Sequence, residues 1–167
     1  VSPLVLGGPQ ERRRRGGTEN VPAIAGFGVA AQAASAWLTK ENIESMLTLR
    51  DDFESQLKDR IPDIRINSCG ATRAWTTSSI AFPNIKGELM LLMLSERGVF
   101  ASSGSACSSG AFKESAVIAA LGHEEDGEWG TVRFSFARTT TQDELTKAVE
   151  IITEVTQKAL EIITSTV

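Results

Sequence analysis

A helical pattern of apolar residues over positions 21–60 limits the possible folds of this chain more than any other feature. Pro22, whose φ suits a first helical turn, opens the pattern, and Thr18 and Asn20 before it are candidate capping residues. The apolar positions that recur at helical spacing are Ile24, Phe27, Ala31, Ala34, Leu38, Ile43, Met46, Leu47, Phe53 and Leu57. An unbroken helix of this length would span about 60 Å, about twice the width of a compact domain of this size. We therefore predict a region that connects two domains, either as one helix or as two helices broken near Thr39.

Short β-like segments and helices alternate over the remainder of the chain. In 131–137, apolar and polar residues alternate strictly, which is typical of a strand with one buried face. The other predicted elements are strands at 64–67, 76–82 and 99–101 and helices at 87–97 and 114–121. The helix at 87–97 is apolar almost all round, so we expect it to be deeply buried. Thr141 and Glu144 form the capping-box pattern that opens a last helix. Together these elements predict an α/β fold of the α+β type, a small sheet covered by helices.

The composition argues against several classes of protein. With 167 residues, 41% of them hydrophobic, the chain can bury a core without disulfides or a structural metal. A net charge of −4 argues against general nucleic-acid binding despite the basic run at 12–15. Two cysteines and one histidine, in no ligand spacing, indicate no metal site. No apolar stretch approaches the length of a membrane span, and the N-terminal charges follow the apolar residues, the reverse of a signal peptide. We expect a cytoplasmic protein that binds neither a membrane nor nucleic acid.

Cys107 stands alone among glycines and serines in the segment 101–110. This composition favours an exposed loop, whereas a structural cysteine normally packs as a small buried apolar residue. A reactive thiol has to reach its substrate and form a thiolate, and a loop provides that access. The alternative is a flexible linker with an incidental thiol, and the residues alone leave both interpretations open. Cys69, which follows a strand-like segment, is interpreted as structural or incidental.

Arg133 is a second candidate functional residue. Strand alternation directs its guanidinium away from the apolar face, where the planar group would be able to bind a carboxylate through two hydrogen bonds. A surface salt bridge is the alternative, and Arg138 just beyond the strand has the same two interpretations.

The segment 12–18 is a third candidate site. Four arginines, two glycines and Thr18 lead directly into the start of a helix. Backbone N–H groups at a helix N-terminus, a threonine hydroxyl and nearby guanidiniums form the kind of site that binds a phosphate. The alternative is a solvated run of charge.

These three stretches occur in an order that resembles a known family. GGPQERRRRGGTENVPAI, SSGSACSSG and GTVRFSFARTTTQDEL resemble the C-terminal part of cysteine desulfurases of the NifS/IscS type, which depend on pyridoxal phosphate and belong to the class V aminotransferases. The resemblance covers nearly the whole chain. It implies the small C-terminal domain of a type I aminotransferase-like fold.

The resemblance also implies a role for three residues. Cys107 matches the nucleophile on a mobile loop, Arg133 the residue that holds the substrate α-carboxylate, and Thr18 the hydroxyl that contacts the phosphate of pyridoxal phosphate in the neighbouring subunit of a homodimer. The implied reaction converts L-cysteine to L-alanine and leaves a persulfide on Cys107. A sulfur-acceptor scaffold protein would take this sulfur for iron–sulfur cluster assembly or thiolation. Two other functions stay open: a non-catalytic sulfur-relay module derived from the family, and a selenocysteine lyase.

The resemblance has departures as well. None of the six lysines, Lys40, Lys58, Lys86, Lys113, Lys147 and Lys158, stands in the context of the lysine to which the family attaches its cofactor. We therefore expect a piece of a longer enzyme that is inactive alone. On this view 1–20 is a remnant of a large-domain and dimer-contact segment, 21–60 is the connecting helical region, and 61–167 is the small domain with the cysteine loop. The segment 110–115 also lacks the Pro-Ser-His pattern common in the family.

Overall fold

The computed structural model of the chain describes residues 2–103, 116–121 and 129–165. Cys107, His123 and most of the glycine- and serine-rich segment lie outside the described residues. The chain divides into two compact units, Val1–Asn42 and Ile43–Val167. The division of the sequence at residues 20 and 60 stays a prediction.

The first unit begins with a small hairpin. Strands β1 (Pro9–Gln10) and β2 (Arg15–Gly16) pair antiparallel and are joined by the 3₁₀ turn Glu11–Arg13. All three turn residues have positive φ, between 50° and 67°, a conformation that non-glycine residues rarely adopt. Gly16 is enclosed, since a Cβ there would collide with the backbone at Gly7. The hairpin therefore depends on close approach of two backbone segments rather than on a core.

Helix α1 (Val21–Trp37) completes the first unit, and α2 (Lys40–Arg60) follows it. The sequence allowed one helix or two over 21–60, and the structure has two. At the break the hydroxyl of Thr39 accepts a hydrogen bond from the Asn42 N–H at 3.3 Å, and the Asn42 side chain donates to the Trp37 carbonyl at 2.7 Å. Thr39 thus caps the second helix at the position where the sequence predicted a break.

The second unit is built on a four-stranded antiparallel sheet. Its strands are β3 (Arg65–Ile66), β4 (Thr77–Pro83), β5 (Ser102–Ser103) and β6 (Trp129–Ser135), in the order β3-β4-β6-β5. The described helices of this unit are α2, which begins in the first unit, α3 (Gly87–Glu96), α4 (Ala116–Ala120) and α5 (Gln142–Ser165). The mixed fold of helices and a small sheet confirms the predicted fold class.

The predicted strand at 99–101 is wrong, because the backbone N–H groups of Gly98 and Val99 form the hydrogen bonds that close α3. Gly98, with φ of 80°, donates its N–H to the Ser95 carbonyl at 3.1 Å, and Val99 donates to the Leu94 carbonyl at 2.9 Å. These are the two hydrogen bonds of a Schellman motif, which closes a helix with a left-handed residue. Pairing with β6 begins only at Ser102.

The core of the second unit follows the predicted apolar patterns in most places. Phe53 of α2 is 1% exposed and meets the rings of Phe134 and Phe136 edge to face, with centroids 5.5 Å apart in both pairs. The capping box is present, because the Glu144 carboxylate accepts from the Thr141 N–H at 2.8 Å and the Thr141 hydroxyl accepts from the Glu144 N–H at 3.3 Å. Helix α3 is less buried than expected, and its Leu92 is 60% exposed.

A buried ion pair connects α2 to the segment before β4. Arg73 donates two hydrogen bonds to the Glu54 carboxylate, at 2.7 and 2.8 Å, and the buried Ser78 hydroxyl donates to the same carboxylate at 2.7 Å. The hydrogen bonds to Glu54 raise the pKa of Arg73. Arg50 donates to the carbonyls of Arg73 and Ala74 at 3.3 and 2.8 Å. This cluster fixes the irregular segment that leads into the sheet.

Among the described residues, no single helix is both long and apolar enough to cross a membrane, and only α1 and α2 taken together reach the required length and composition.

Candidate functional site

Arg133 lies in the middle of the sheet on β6. Its direct neighbours are Ser79 on β4 and Ser102 on β5, which are the register partners of Arg133 on either side. Paired residues of antiparallel strands share a face, so these three side chains lie side by side on the face opposite Val132 and Phe134. Arg133 is half-buried, and its guanidinium has no hydrogen-bond or ion-pair partner among residues 2–103, 116–121 and 129–165. Within that part of the chain, the surface salt bridge that the sequence left open is not formed.

A buried asparagine supports this face of the sheet. Asn67, only 4% exposed, donates from Nδ2 to the Ser79 hydroxyl at 3.0 Å and from its backbone N–H to the Ser79 carbonyl at 2.9 Å. The Nε of Arg65 donates to Asn67 Oδ1 at 3.4 Å, and the Arg65 guanidinium stacks over the Trp129 ring at 4.7 Å from the centroid. Asn67, Ser79, Arg133 and Ser102 thus lie next to one another across this face of the sheet.

Sequence reasoning found Arg133 but missed Asn67 and Ser79. Ser79 belongs to a predicted strand, and alternation places it on the same face as Thr77 and Ala81. Alternation does not show which residue of a neighbouring strand lies beside Ser79. The partner depends on the register between β4 and β6, which is set by residues far apart in the chain. Asn67 directly follows the two-residue strand β3, and the alternation there is too short to show that its amide is buried.

Thr18 lies in the loop between β2 and α1, in the first unit. The Arg15 side chain shapes this loop, since its Nη1 donates to the carbonyls of Gly16, Gly17 and Thr18 at 3.3, 2.7 and 2.9 Å. Gly17 provides a left-handed turn with φ of 75°. The Thr18 side chain is exposed, and its hydroxyl has no hydrogen-bond partner among the described residues.

The N-terminus of α1 does not offer the backbone donors that the sequence suggested. Val21 donates its N–H to the Glu19 carbonyl at 2.8 Å, and Ala23 and Ile24 donate to the side chain and carbonyl of Asn20 at 3.1 and 3.0 Å. Pro22 has no N–H. A phosphate at this loop would therefore be bound by the Thr18 hydroxyl and the exposed arginines rather than by the first turn of the helix. Asn20, one of the two predicted capping residues, is the cap.

The side chains of Thr18 and Arg133 are both suited to anionic ligands. An exposed threonine hydroxyl beside several guanidiniums is suited to a phosphate, and a half-buried guanidinium that has no partner among the described residues is suited to a carboxylate. Thr18 and Arg133 belong to different units, and Cys107 lies outside the described residues. Within the described ranges, no cluster of histidine, cysteine and acidic side chains is able to hold a metal ion. Cys69 is exposed.

Comparison with known proteins identifies the family. The family model "Aminotransferase class-V" matches residues 7–147. The chain belongs to the class V aminotransferases. This match contains Thr18, Cys107 and Arg133, and it confirms the family to which the three sequence stretches pointed.

Individual relatives and solved structures agree. The chain is 40% identical over 156 residues to a cysteine desulfurase of Trichormus azollae, covering 93% of this chain and 39% of that protein. It is 42% identical over 147 residues to the cysteine desulfurase NifS of Azotobacter vinelandii, covering 88% of this chain and 36% of that protein. The structure of a NifS-like protein from Rickettsia africae superposes with a TM-score of 0.77 at 29% identity, over 94% of this chain and 40% of the other. The class V aminotransferase chain described here therefore spans about two fifths of the length of these relatives.

Proposed function

We propose that this chain is the C-terminal part of a cysteine desulfurase, which removes sulfur from L-cysteine to give L-alanine. The observation that carries this proposal is Arg133, a half-buried guanidinium in the middle of a sheet, which has no partner within the described ranges, in a chain about 40% identical to cysteine desulfurases. A half-buried cation there is suited to an anionic ligand, since burial of a charge without a partner is unfavourable.

Arg133 would hold the α-carboxylate of L-cysteine. Its guanidinium presents parallel N–H groups that match the two oxygens of a carboxylate, which fixes the orientation of the substrate as well as its position. Because β6 is an inner strand paired on both sides, its backbone is held rigidly, and this fixes the position from which the Arg133 side chain extends.

Thr18 would contact the phosphate of pyridoxal phosphate bound in the other subunit of a homodimer. The three hydrogen bonds from Arg15 hold the loop that carries Thr18, so its hydroxyl is presented from a defined turn. When bound, pyridoxal phosphate withdraws electrons from the substrate carbons and so weakens the bond between carbon and sulfur.

Cys107 would be the residue that accepts sulfur. Its thiolate attacks the sulfur of L-cysteine, a new S–S bond forms, and the C–S bond breaks with its electron pair left on carbon. The carbon fragment is protonated there and leaves as L-alanine, while Cys107 keeps the sulfur as a persulfide for a sulfur-acceptor scaffold protein. The serines and glycines around Cys107 are small enough to let the persulfide reach that acceptor. We propose that the acceptor supplies this sulfur to iron–sulfur cluster assembly or to thiolation.

By itself the chain should not turn over cysteine. Its six lysines stand in other contexts than the family's cofactor-binding lysine, so pyridoxal phosphate would be held only at its phosphate end. A sulfur-relay module without catalysis and a selenocysteine lyase are the remaining alternatives, and no described residue distinguishes selenium from sulfur.

Two samples test the proposal. The first is the chain alone with pyridoxal phosphate and L-cysteine, for which we expect alanine and sulfide only at the rate of the free cofactor. The second is a chimaera in which this chain replaces the matching part of A. vinelandii NifS. We expect the chimaera to release alanine and to form a persulfide on Cys107.

The control is Cys107→Ser in the chimaera, which should keep the absorbance of bound cofactor but form no persulfide, because a hydroxyl cannot accept sulfur. A folded chimaera with bound cofactor that releases no alanine would support the sulfur-relay alternative. Turnover by the chain alone that is lost in Cys107→Ser would show that one of its lysines serves the cofactor.

A further inference from the structure

We propose that Ser79 is a second carboxylate-binding residue beside Arg133, and that its hydroxyl donates to the same ligand. The proposal rests on the proposed function in one respect, namely that Arg133 binds the carboxylate. The two residues are direct register partners on β4 and β6. Their Cβ atoms are therefore about 5 Å apart on one face of the sheet, which is close enough for one small anion to contact both side chains.

Asn67 determines which way the Ser79 hydroxyl donates. The Asn67 side chain donates from Nδ2 to Ser79 Oγ at 3.0 Å, so the serine oxygen is an acceptor in this bond. A serine hydroxyl has one proton and two lone pairs, and the proton is left for another acceptor. Among the described residues, Asn67 is the only hydrogen-bond partner of the Ser79 side chain.

The asparagine amide is itself held in this orientation. Its Oδ1 accepts from Arg65 Nε at 3.4 Å, and a reversed amide would direct its NH₂ group at that guanidinium. Arg65 is in turn stacked on Trp129 at 4.7 Å, and Asn67 is 4% exposed. Since Asn67 cannot accept from Ser79 without losing the bond to Arg65, the Ser79 proton points away from Asn67 and is available to a ligand beside Arg133.

A carboxylate satisfies both residues. It offers about four lone-pair sites, of which a bidentate guanidinium occupies two, so an oxygen is left to accept from the serine. Ser102 lies on the other side of Arg133, and within the described part of the chain no side-chain amide donates to its hydroxyl, so the inference does not extend to Ser102. A primary amide in place of the carboxylate would direct its NH₂ at the Arg133 donors. The donors of Arg133 therefore select a free carboxylate over its amide, and the Ser79 hydroxyl adds a further donor to the carboxylate.

The test uses the chain itself, with ¹⁵N in its arginine side chains and L-alanine as the probe. The Nε–H resonance of Arg133 is followed by NMR as L-alanine or L-alaninamide is added at constant ionic strength. We expect L-alanine, but not L-alaninamide, to shift this resonance in a saturable way. Ser79→Ala should weaken L-alanine binding about 10-fold, as expected for the loss of a hydrogen bond to a charged group. Ser79→Thr, which keeps the hydroxyl, should bind within about 3-fold of the original chain.

The matched control is Ser135→Ala, a serine of the same strand as Arg133, two residues further and exposed. It should leave L-alanine binding unchanged. Equal binding by the original chain and Ser79→Ala, with loss in Arg133→Ala, would overturn the role of Ser79 and leave that of Arg133 intact. If L-alanine does not shift the Arg133 resonance in the original chain, both roles are wrong.

Discussion

The candidate role of Arg133 in carboxylate binding follows from its position in the alternation of β6, which places its side chain on the polar face of the sheet. Val132 and Phe134 are 0% and 5% exposed, and the residue between them consequently faces the other side of the sheet. Alternation was enough to predict this from the sequence. The neighbours of Arg133 were beyond prediction, because Ser79 and Asn67 are brought to it by strand register and by burial, neither of which a local pattern encodes.

Replacing Arg133 with alanine should weaken L-cysteine binding more than cofactor binding. In the chimaera, loss of a charge-assisted bidentate pair should cost about 2 to 4 kcal/mol, or roughly 30- to 1000-fold in kcat/KM. The absorbance of bound cofactor should be retained. Arg138→Ala, at an exposed position beyond the strand, is the control and should change kcat/KM less than about 3-fold. An unchanged kcat/KM in Arg133→Ala would show that Arg133 does not bind the substrate and would favour the alternative of a surface salt bridge.

At the scale of elements, local signals were reliable where they involve hydrogen bonds between near neighbours. Thr39 and Asn20 both cap helices, and Thr141 forms a capping box with Glu144, all within a few residues. Two predictions failed, the first because the local hydrogen bonds that close α3 were not recognised and the second because tertiary packing decides how much of a helix is covered. Apolar residues at 99–101 predicted a strand, but Val99 closes α3, and the apolar Leu92 of α3 is exposed because this helix is covered on only part of its surface.

The capping box should make stability depend on pH. The backbone N–H and then the hydroxyl of Thr141 donate to Glu144 and lower the pKa of its carboxyl. A carboxyl with a lowered pKa in the folded state stabilises the protein above its ordinary pKa, and this contribution is lost as the pH falls through the lowered value. Because Glu144→Gln has no carboxyl to protonate, it should lose less stability than the original chain as the pH falls from neutral through the lowered pKa of Glu144. Thr141→Ala should raise the pKa of Glu144, measurable by NMR titration. Because Thr141→Ala keeps the backbone N–H, an unchanged pKa would contradict only the contribution of the Thr141 hydroxyl.

The ion pair of Arg73 and Glu54 should matter far more than a surface pair. Arg73→Met leaves the Glu54 carboxylate, 8% exposed, without its charged partner, and we expect a loss of about 3 kcal/mol in the free energy of unfolding. Arg97→Met is the matched control, since Arg97 and Glu154 form a pair at 2.7 Å with side chains 49% and 59% exposed. This control should cost less than about 1 kcal/mol. Urea unfolding measures both, and equal losses would show that burial does not distinguish the two pairs.

At the scale of the whole molecule, the two units differ in where their apolar residues lie. Every buried hydrophobic residue of the described chain falls between Met46 and Ala159, within the second unit. Helix α1 has no buried residue, and its Phe27 and Val29 are 77% and 68% exposed. The sequence predicted a helix here correctly, because helical spacing reveals the element. It does not reveal what an apolar helix packs against.

This distribution predicts that the second unit folds without the first. A fragment of residues 39–167, which keeps Thr39 as the cap of α2, should unfold within about 3 °C of the full chain, a shift that corresponds to a loss of only about 1 kcal/mol in a chain of this size. Two point variants in the full chain sharpen the test. Phe27→Ala should leave the unfolding temperature unchanged, whereas Phe53→Ala, at a position 1% exposed, should cost about 3 to 5 kcal/mol. Thermal unfolding followed by circular dichroism measures all three. A fragment that unfolds more than about 10 °C below the full chain would show that the first unit contributes to the stability of the second.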